Sequence, residues 1–192
     1  MKRCLALLAA IALTASAQGN ETFKIDPSHS RIGFKVRHML GSAKGSFAKF
    51  SGTIEVDADH PQQSSVNVTI QAASIDTGIA KRDDHLRGEL FSVEKFPQIT
   101  FKSRGVKQTG AATGDITGDL TMHGVTRPIT LHVQLQGDPQ AAVKSPSTRW
   151  RVTTAPIRRS QFGLVFSPSA ETVSMIADEV SIDIEIEAQR GK

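Results

Sequence analysis

Val180-Ser181-Ile182-Asp183-Ile184-Glu185-Ile186 alternates without a break between aliphatic and polar side chains. A β-strand turns successive side chains to opposite faces, so this stretch is predicted to offer four aliphatic groups to a dry interior. Ser181, Asp183 and Glu185 then face water. The same period of two recurs along most of the chain. Ile129, Leu131, Val133 and Leu135 oppose Thr130, His132 and Gln134. Ile32, Phe34, Val36 and His38 share one side of 31–38. Phe50, Ile54 and Val56 share one side of 49–56, and Val66, Val68 and Ile70 one side of 66–72. Shorter runs place Ile99 with Phe101, Ile116 with Leu120 and Met122, and Trp150 with Val152.

One wet and one dry face favours antiparallel pairing, because parallel strands are covered on both faces and read as unbroken apolar runs. The run 123–128 between two such strands is predicted to be a hairpin connection. One segment departs from the period. Ser74-Ile75-Asp76-Thr77 offers helix-starting caps, Ile79, Leu86 and Leu90 then fall on one stripe, and Asp83 and Asp84 each sit at helical spacing from Arg87. A short helix over about 78–90 is predicted. The strand runs number eight, and their apolar faces need a cover that one short helix does not supply. A two-sheet sandwich and a closed barrel both satisfy this, and periodicity does not choose between them.

The first residues address the compartment. Lys2 and Arg3 precede an apolar run, Leu5 to Leu13, which is followed by Ala15-Ser16-Ala17. That order is the layout of a secretory signal peptide cut after Ala17, and the run is well short of the ~20 residues that span a bilayer. The expected organisation is a signal peptide over 1–17 and one domain over 18–192, placed in the periplasm. N-terminal sequencing that begins at Gln18 is the expected result for exported protein. The single cysteine, Cys4, lies inside the leader, so the mature domain is expected to rely on its core alone. The leader carries two cations and no acid, so the net charge of +4 falls to +2 after cleavage. The longest basic cluster is Arg158-Arg159, too small for a nucleic-acid-binding face.

The chain resembles the YceI-like family, the bacterial polyisoprenoid-binding proteins, over nearly all of 22–188. The resemblance is carried by Phe23-Lys24-Ile25-Asp26-Pro27-Ser28-His29-Ser30, by Phe34-Lys35-Val36-Arg37-His38 and by Gly45-Ser46-Phe47-Ala48-Lys49-Phe50-Ser51-Gly52. It continues through Ser74-Ile75-Asp76-Thr77, Arg82-Asp83-Asp84-His85-Leu86, Lys95-Phe96-Pro97-Gln98-Ile99-Thr100-Phe101 and Gly118-Asp119-Leu120-Thr121-Met122-His123-Gly124-Val125-Thr126-Arg127-Pro128. It closes on Arg159-Ser160-Gln161-Phe162-Gly163 and Val180-Ser181-Ile182. The order of these pieces is specific where each alone is not. The resemblance implies an all-β fold, an eight-stranded antiparallel lipocalin-like barrel with one short helix. It also implies a long isoprenoid in the interior, no other cofactor, and often a homodimer. Three positions depart from the family pattern: Phe23 in place of Tyr, and Ser92 and Gln161 in place of Asp.

Phe34, Val36, Phe50, Ile54, Ile70, Phe101, Leu120, Met122, Leu131, Phe162 and Leu164 are the candidates to line a lipid tunnel. By pattern alone the same residues make an ordinary filled core. Asp83, His85, Arg158 and Arg159 are the candidate head-group contacts, an arginine being able to grip a phosphate with two parallel hydrogen bonds. The bland alternative is a solvated surface cluster, worth at most ~1 kcal/mol per exposed pair. His29, His38, His85, His123 and His132 show no metal-pair spacing, and no metal is expected. No Gly-x-Ser-x-Gly elbow or Gly-rich phosphate loop is present, so no catalytic residue is nominated. The expected role is a lipid carrier or store, holding an isoprenoid of the quinone or polyprenyl phosphate type and touching a membrane only for exchange. The competing role is a filled-core periplasmic stress-response or interaction protein in which lipid is incidental.

Overall fold

In the computed structural model, residues 21–39, 41–57, 59–142, 145–166 and 175–191 are described. The leader expected over 1–17 lies outside them. Twelve strands follow in chain order: β1 Glu21–Ile25, β2 Arg31–His38, β3 Gly41–Phe47, β4 Phe50–Val56, β5 Ser65–Gln71, β6 Ile75–Asp76, β7 Gln98–Gln108, β8 Thr113–Met122, β9 Val125–Gln136, β10 Ser147–Thr154, β11 Ile157–Arg158 and β12 Glu179–Arg190. Every pairing is antiparallel.

The twelve reduce to eight staves. β12 meets β2 along its first half, from Val180 opposite Val36 to Glu185 opposite Arg31, and meets β1 along its last residues, with Ile25 opposite Ala188. β1 and β2 are therefore one bent stave. β3 and β4 form the next, since β3 pairs β2 while β4 pairs β1. β5 and β6 form the third, against β4 and β3 respectively. The ring then runs through β7, β8, β9 and the stave made of β10 and β11, which both pair β12, to β12 itself, whose contact with β1 and β2 closes it. Closure gives each stave a partner on both sides along part of its length and settles the choice in favour of the barrel over the sandwich.

The bend between β1 and β2 is fixed by Asp26. Its carboxylate accepts from the Ser28 N–H at 2.9 Å, His29 Nδ1 at 2.9 Å and Gln189 Nε2 at 2.7 Å. The His29 hydrogen bond, then the Ser28 N–H, holds the Asp26 carboxyl below the usual carboxylate range, and the hydrogen bond to Asp26, then the Asp26 charge, raises His29 above an ordinary imidazole.

The β8–β9 hairpin is tighter than the six-residue connection read from 123–128. His123 and Gly124 alone make the turn, with φ of 53° and 75°, the two positive values that a two-residue hairpin demands. Val125 to Pro128 already belong to β9, with Pro128 opposite Asp119. Proline is tolerated there because β10 runs beside β9 only from Leu131 onward, so no ladder is broken on that side.

The helix is shorter and starts later than its sequence suggested. α1 spans Ala80–His85 and widens into a π-type turn over Leu86–Leu90. Ile75 and Asp76 pair with Phe47 and Ser46 of β3 instead of capping a helix. Ile79 is extended and exposed, so it leaves the expected stripe, while Leu86 and Leu90 turn inward. Asp84 pairs with Arg87 at 2.9 Å, but Asp83 does not: its carboxylate turns back to accept the Thr77 N–H at 3.0 Å and the Thr77 hydroxyl. α2 is a single turn, Pro139–Ala142.

Two glycines make room for aromatic rings over the sheet. A Cβ at Gly45 would collide with the Phe34 ring, and a Cβ at Gly118 would lie 2.5 Å from Phe101 Cζ and 2.6 Å from the Lys102 carbonyl oxygen. The ring can swing but the carbonyl cannot. Gly118→Val is expected to cost about 3 kcal/mol by overpacking, read as a lower urea midpoint at unchanged slope. An unchanged midpoint would show that β8 lies farther from β7 here.

Candidate functional site

Alternate residues of all eight staves converge on the barrel axis without meeting. They enclose a cavity of about 1030 Å³ that runs from one end of the barrel to the other. That is at the upper end of the ~300–1,000 Å³ usual for small-molecule sites. The walls are aliphatic and aromatic along the middle. All four inward residues of the 129–135 run and all four of the 180–186 run line it.

Of the eleven predicted lining residues, Phe34, Val36, Ile54, Ile70, Phe101, Leu120, Met122, Leu131 and Leu164 face the cavity. Phe50 and Phe162 do not. Phe50 is buried at the bend where β3 passes into β4, in the cluster that holds Phe23, Ile32 and Val152. Phe162 is fully buried on the turn Arg159–Phe162, in the cluster of Leu90, Phe91 and Leu120. Inward facing at a barrel end or a turn means packing against another element, not against the axis. Phe23 and Ile25 of β1 also line the cavity. Their alternation with Thr22 and Lys24 is a signal, though too short to stand out.

The two ends differ in charge. At the helix end the wall carries His38, Thr77, Arg82, His85 and Arg159. At the other end its polar groups include the carboxyl groups of Glu21 and Asp57, with Ser64, Gln108, Thr113 and Thr148. Arg82 is anchored to Thr77, its Nε donating to the hydroxyl at 2.7 Å and Nη2 to the carbonyl at 3.0 Å. His85 Nδ1 lies 3.0 Å from Glu89 Oε1, and its ring stacks on Phe166 with centroids 6.1 Å apart. The Arg159 guanidinium lies 5.2 Å from the centre of the same Phe166 ring.

The four candidate head-group residues therefore separate. His85 and Arg159 reach the cavity wall, and Asp83 and Arg158 do not. Asp83 is buried and spent on Thr77, which also receives Arg82. Arg158 sits on the outward face of β11, exposed. Arg159 is buried and donates to the Leu164 carbonyl at 2.8 Å and to those of Ala177 and Ile176 at 3.2 Å each. Its visible work is to tie the connection before β12 to the barrel. Asp83→Ala is expected to leave the half-buried Thr77 N–H without its carboxylate partner at a cost of about 1 kcal/mol, the low end for an unpaired polar group. Hydrogen exchange at Thr77 checks this, and unchanged protection would contradict the anchoring role.

Among the described residues, no three His, Cys, Asp or Glu side chains gather as a metal site. No described helix is long and apolar enough to cross a membrane.

The model of the YceI-like domain matches residues 23–188. The chain belongs to the YceI-like family. Protein YceI of Salmonella newport strain SL254 is 42% identical over 134 residues, 68% of this chain and 70% of that protein. BcnA of Burkholderia cenocepacia superposes with a TM-score of 0.76 at 26% identity, covering 86% of this chain and 99% of BcnA. A Campylobacter jejuni YceI protein gives 0.68 at 27%, over 80% of this chain and 88% of that one. A polyisoprenoid binding domain from Saccharophagus degradans, implicated in plant cell wall breakdown, gives 0.66 at 18%, over 88% and 98%; this likeness is one of fold.

The three family departures have mild settings. Phe23 is buried beneath Arg190, whose guanidinium lies 5.3 Å from the ring centre. Ser92 adopts a positive φ of 45°, a conformation in which Asp is several-fold commoner than Ser. Gln161 is exposed and offers its backbone carbonyl to Arg127 Nε at 3.3 Å.

Proposed function

We propose that this protein carries or stores one long-chain isoprenoid lipid inside its barrel, in the periplasm, and performs no chemical step on it. One observation carries the proposal: the interior is an apolar cavity of about 1030 Å³ running the length of the barrel, where a filled core would leave none. The leader-like segment over 1–17 supports the compartment, and the polyisoprenoid binding named for the Saccharophagus degradans domain supports the ligand class. A tail of about 20 carbons resists leaving a bilayer by on the order of 16 kcal/mol, at ~0.8 kcal/mol per methylene. A dry barrel offsets most of that by shape alone, with no tuned acid or base.

The charge difference between the ends orients the lipid. A phosphate meets His38, Arg82 and His85 at the helix end, and carboxylates at the other. We place the head group at the helix end with the tail along the axis, and favour the polyprenyl phosphate type over the quinone. The test is uptake by delipidated protein of a polyprenyl phosphate, the matching polyprenol and a quinone of equal tail length. One lipid per chain is expected, with the phosphate preferred. The double variant Arg82→Ala/His85→Ala is expected to lose that preference and keep polyprenol uptake. No uptake of any of the three would contradict the carrier reading; equal uptake of all three by the parent would contradict the head-group placement.

A further inference from the structure

We propose that the helix end of the barrel is a membrane-docking rim, which seats on an anionic bilayer surface while lipid passes through the mouth. This inference rests on the carrier reading above and adds where exchange happens. Among the described residues, the exposed large hydrophobics are Met39 at 59%, Ile79 at 52%, Val165 at 57% and Met175 at 61% of their full accessible surface. They lie far apart in the chain, yet the fold brings all four to one end. Met39 caps the β2–β3 turn and Ile79 leads into α1. Val165 precedes Phe166, which stacks on His85 of α1. Met175 is two residues from Ala177, whose N–H donates to the Arg37 carbonyl at 2.9 Å, next to the β2–β3 turn. The opposite end, which includes residues 59–64, 109–112, 137–142 and 145–146, exposes no such residue among those described.

Apolar side chains ringing a cavity mouth are the surface that enters the boundary between head groups and acyl chains. The charge of the rim selects the bilayer. Arg37, Lys44, Lys81 and Arg158 are exposed there and make no ion pair with any described residue. Lys95 and Arg127 are exposed at this end without such a pair too. Of the rim's carboxylates, Asp84 pairs with Arg87 and Glu89 with His85, while Asp178 and Asp76 accept from the neutral Ser160 hydroxyl and Gly78 N–H and keep their charge. Glu94 and Glu179 are exposed and make no ion pair with any described residue, Glu179 lying opposite Arg158 in the ladder, which leaves six unpaired cations against four unpaired carboxylates. Cations in excess around apolar tips match a surface of anionic head groups. Docked this way, the lipid's head group stays at the wet mouth while its tail moves from the bilayer into the barrel.

The test is co-sedimentation of the full mature chain with vesicles of phosphatidylcholine alone or mixed with phosphatidylglycerol, beside the rate of lipid loading from those vesicles. The variant Ile79→Ser/Val165→Ser/Met175→Ser changes no cavity-lining residue. It is expected to weaken vesicle binding and slow loading by at least about tenfold, while loading from detergent micelles stays at one lipid per chain. Arg37→Glu/Lys44→Glu/Lys81→Glu is expected to abolish the preference for phosphatidylglycerol, and Lys107→Glu at the opposite end to leave it intact. Vesicle binding and loading unchanged in both triple variants would overturn the docking rim. A change of oligomeric state with unchanged loading would overturn it too, and assign the rim to a second copy of the chain. Failure of the parent to load even from micelles would instead sink the carrier reading on which the rim rests.

Discussion

Leu131→Trp is expected to cost the barrel its lipid and little of its stability. Leu131 sits midway along β9, paired with Ile116 of β8 on one side and Thr154 of β10 on the other. It is half-buried and faces the cavity, touching both apolar clusters. An indole at this position occupies the room of about four tail carbons, which at ~0.8 kcal/mol each is ~3 kcal/mol of lost contact, or on the order of 100-fold in affinity. In a filled core the same change would overpack its neighbours and cost ~1–3 kcal/mol of stability. Two measurements separate the cases: the melting temperature of delipidated protein, and lipid retained per chain. An unchanged melting temperature with lost lipid is the expected pair. A large fall in melting temperature with unchanged lipid uptake would mean that the side chains already fill the barrel at Leu131.

Arg159→Met is expected to be the most destabilising single change at the helix end. The guanidinium bridges carbonyls from both sides of the long connection between β11 and β12, those of Leu164, Ile176 and Ala177, and lies against the Phe166 ring. Methionine keeps the apolar stem and removes every donor. The Leu164 carbonyl is buried and those of Ile176 and Ala177 half-buried; a buried one left unpaired costs ~1–3 kcal/mol and the others less, so a loss of about 3 kcal/mol is expected, roughly 10 °C in melting temperature for a chain this size. Arg159→Lys is expected to rescue little, because an ammonium is a point donor and the carbonyls need a planar fork. Full rescue by lysine would show that charge at this site matters more than the three-way bridge.

The dry face of the barrel was legible residue by residue. Val180, Ile182, Ile184 and Ile186 line the cavity as their alternation requires, and so do Ile129, Leu131, Val133 and Leu135. What local pattern does not hold is pairing at a distance. Closure depends on Ile25 meeting Ala188 across nearly the whole chain, and no window of sequence contains both. β3 was invisible for another reason. Gly41-Ser42-Ala43-Lys44-Gly45-Ser46-Phe47 has few large apolar groups, and Gly45 is small because the Phe34 ring lies over it. Its identity as a strand is written in β2, not in itself.

The polar site was less legible, because the same side chain can serve the fold or a ligand. Asp83 and Asp84 look alike in sequence, yet one is buried on Thr77 and the other is an exposed partner of Arg87. Arg158 and Arg159 are adjacent, but strand alternation into the turn Arg159–Phe162 sends one to solvent and the other inside. Ile79 counted as apolar on a helical stripe and proved to be exposed on extended backbone. In each case the deciding fact is where a neighbouring element ends. Periodicity reports the repeat inside an element and is weakest at its boundary.

Native mass spectrometry of protein exported by its own host and purified without detergent shows whether the cavity holds a lipid. The expected result is a chain mass carrying one adduct, which an organic extract resolves as an isoprenoid with a spacing of five carbons along its tail. A chain that flies at its bare mass, and stays bare after incubation with polyprenyl phosphate, polyprenol and quinone, would contradict it.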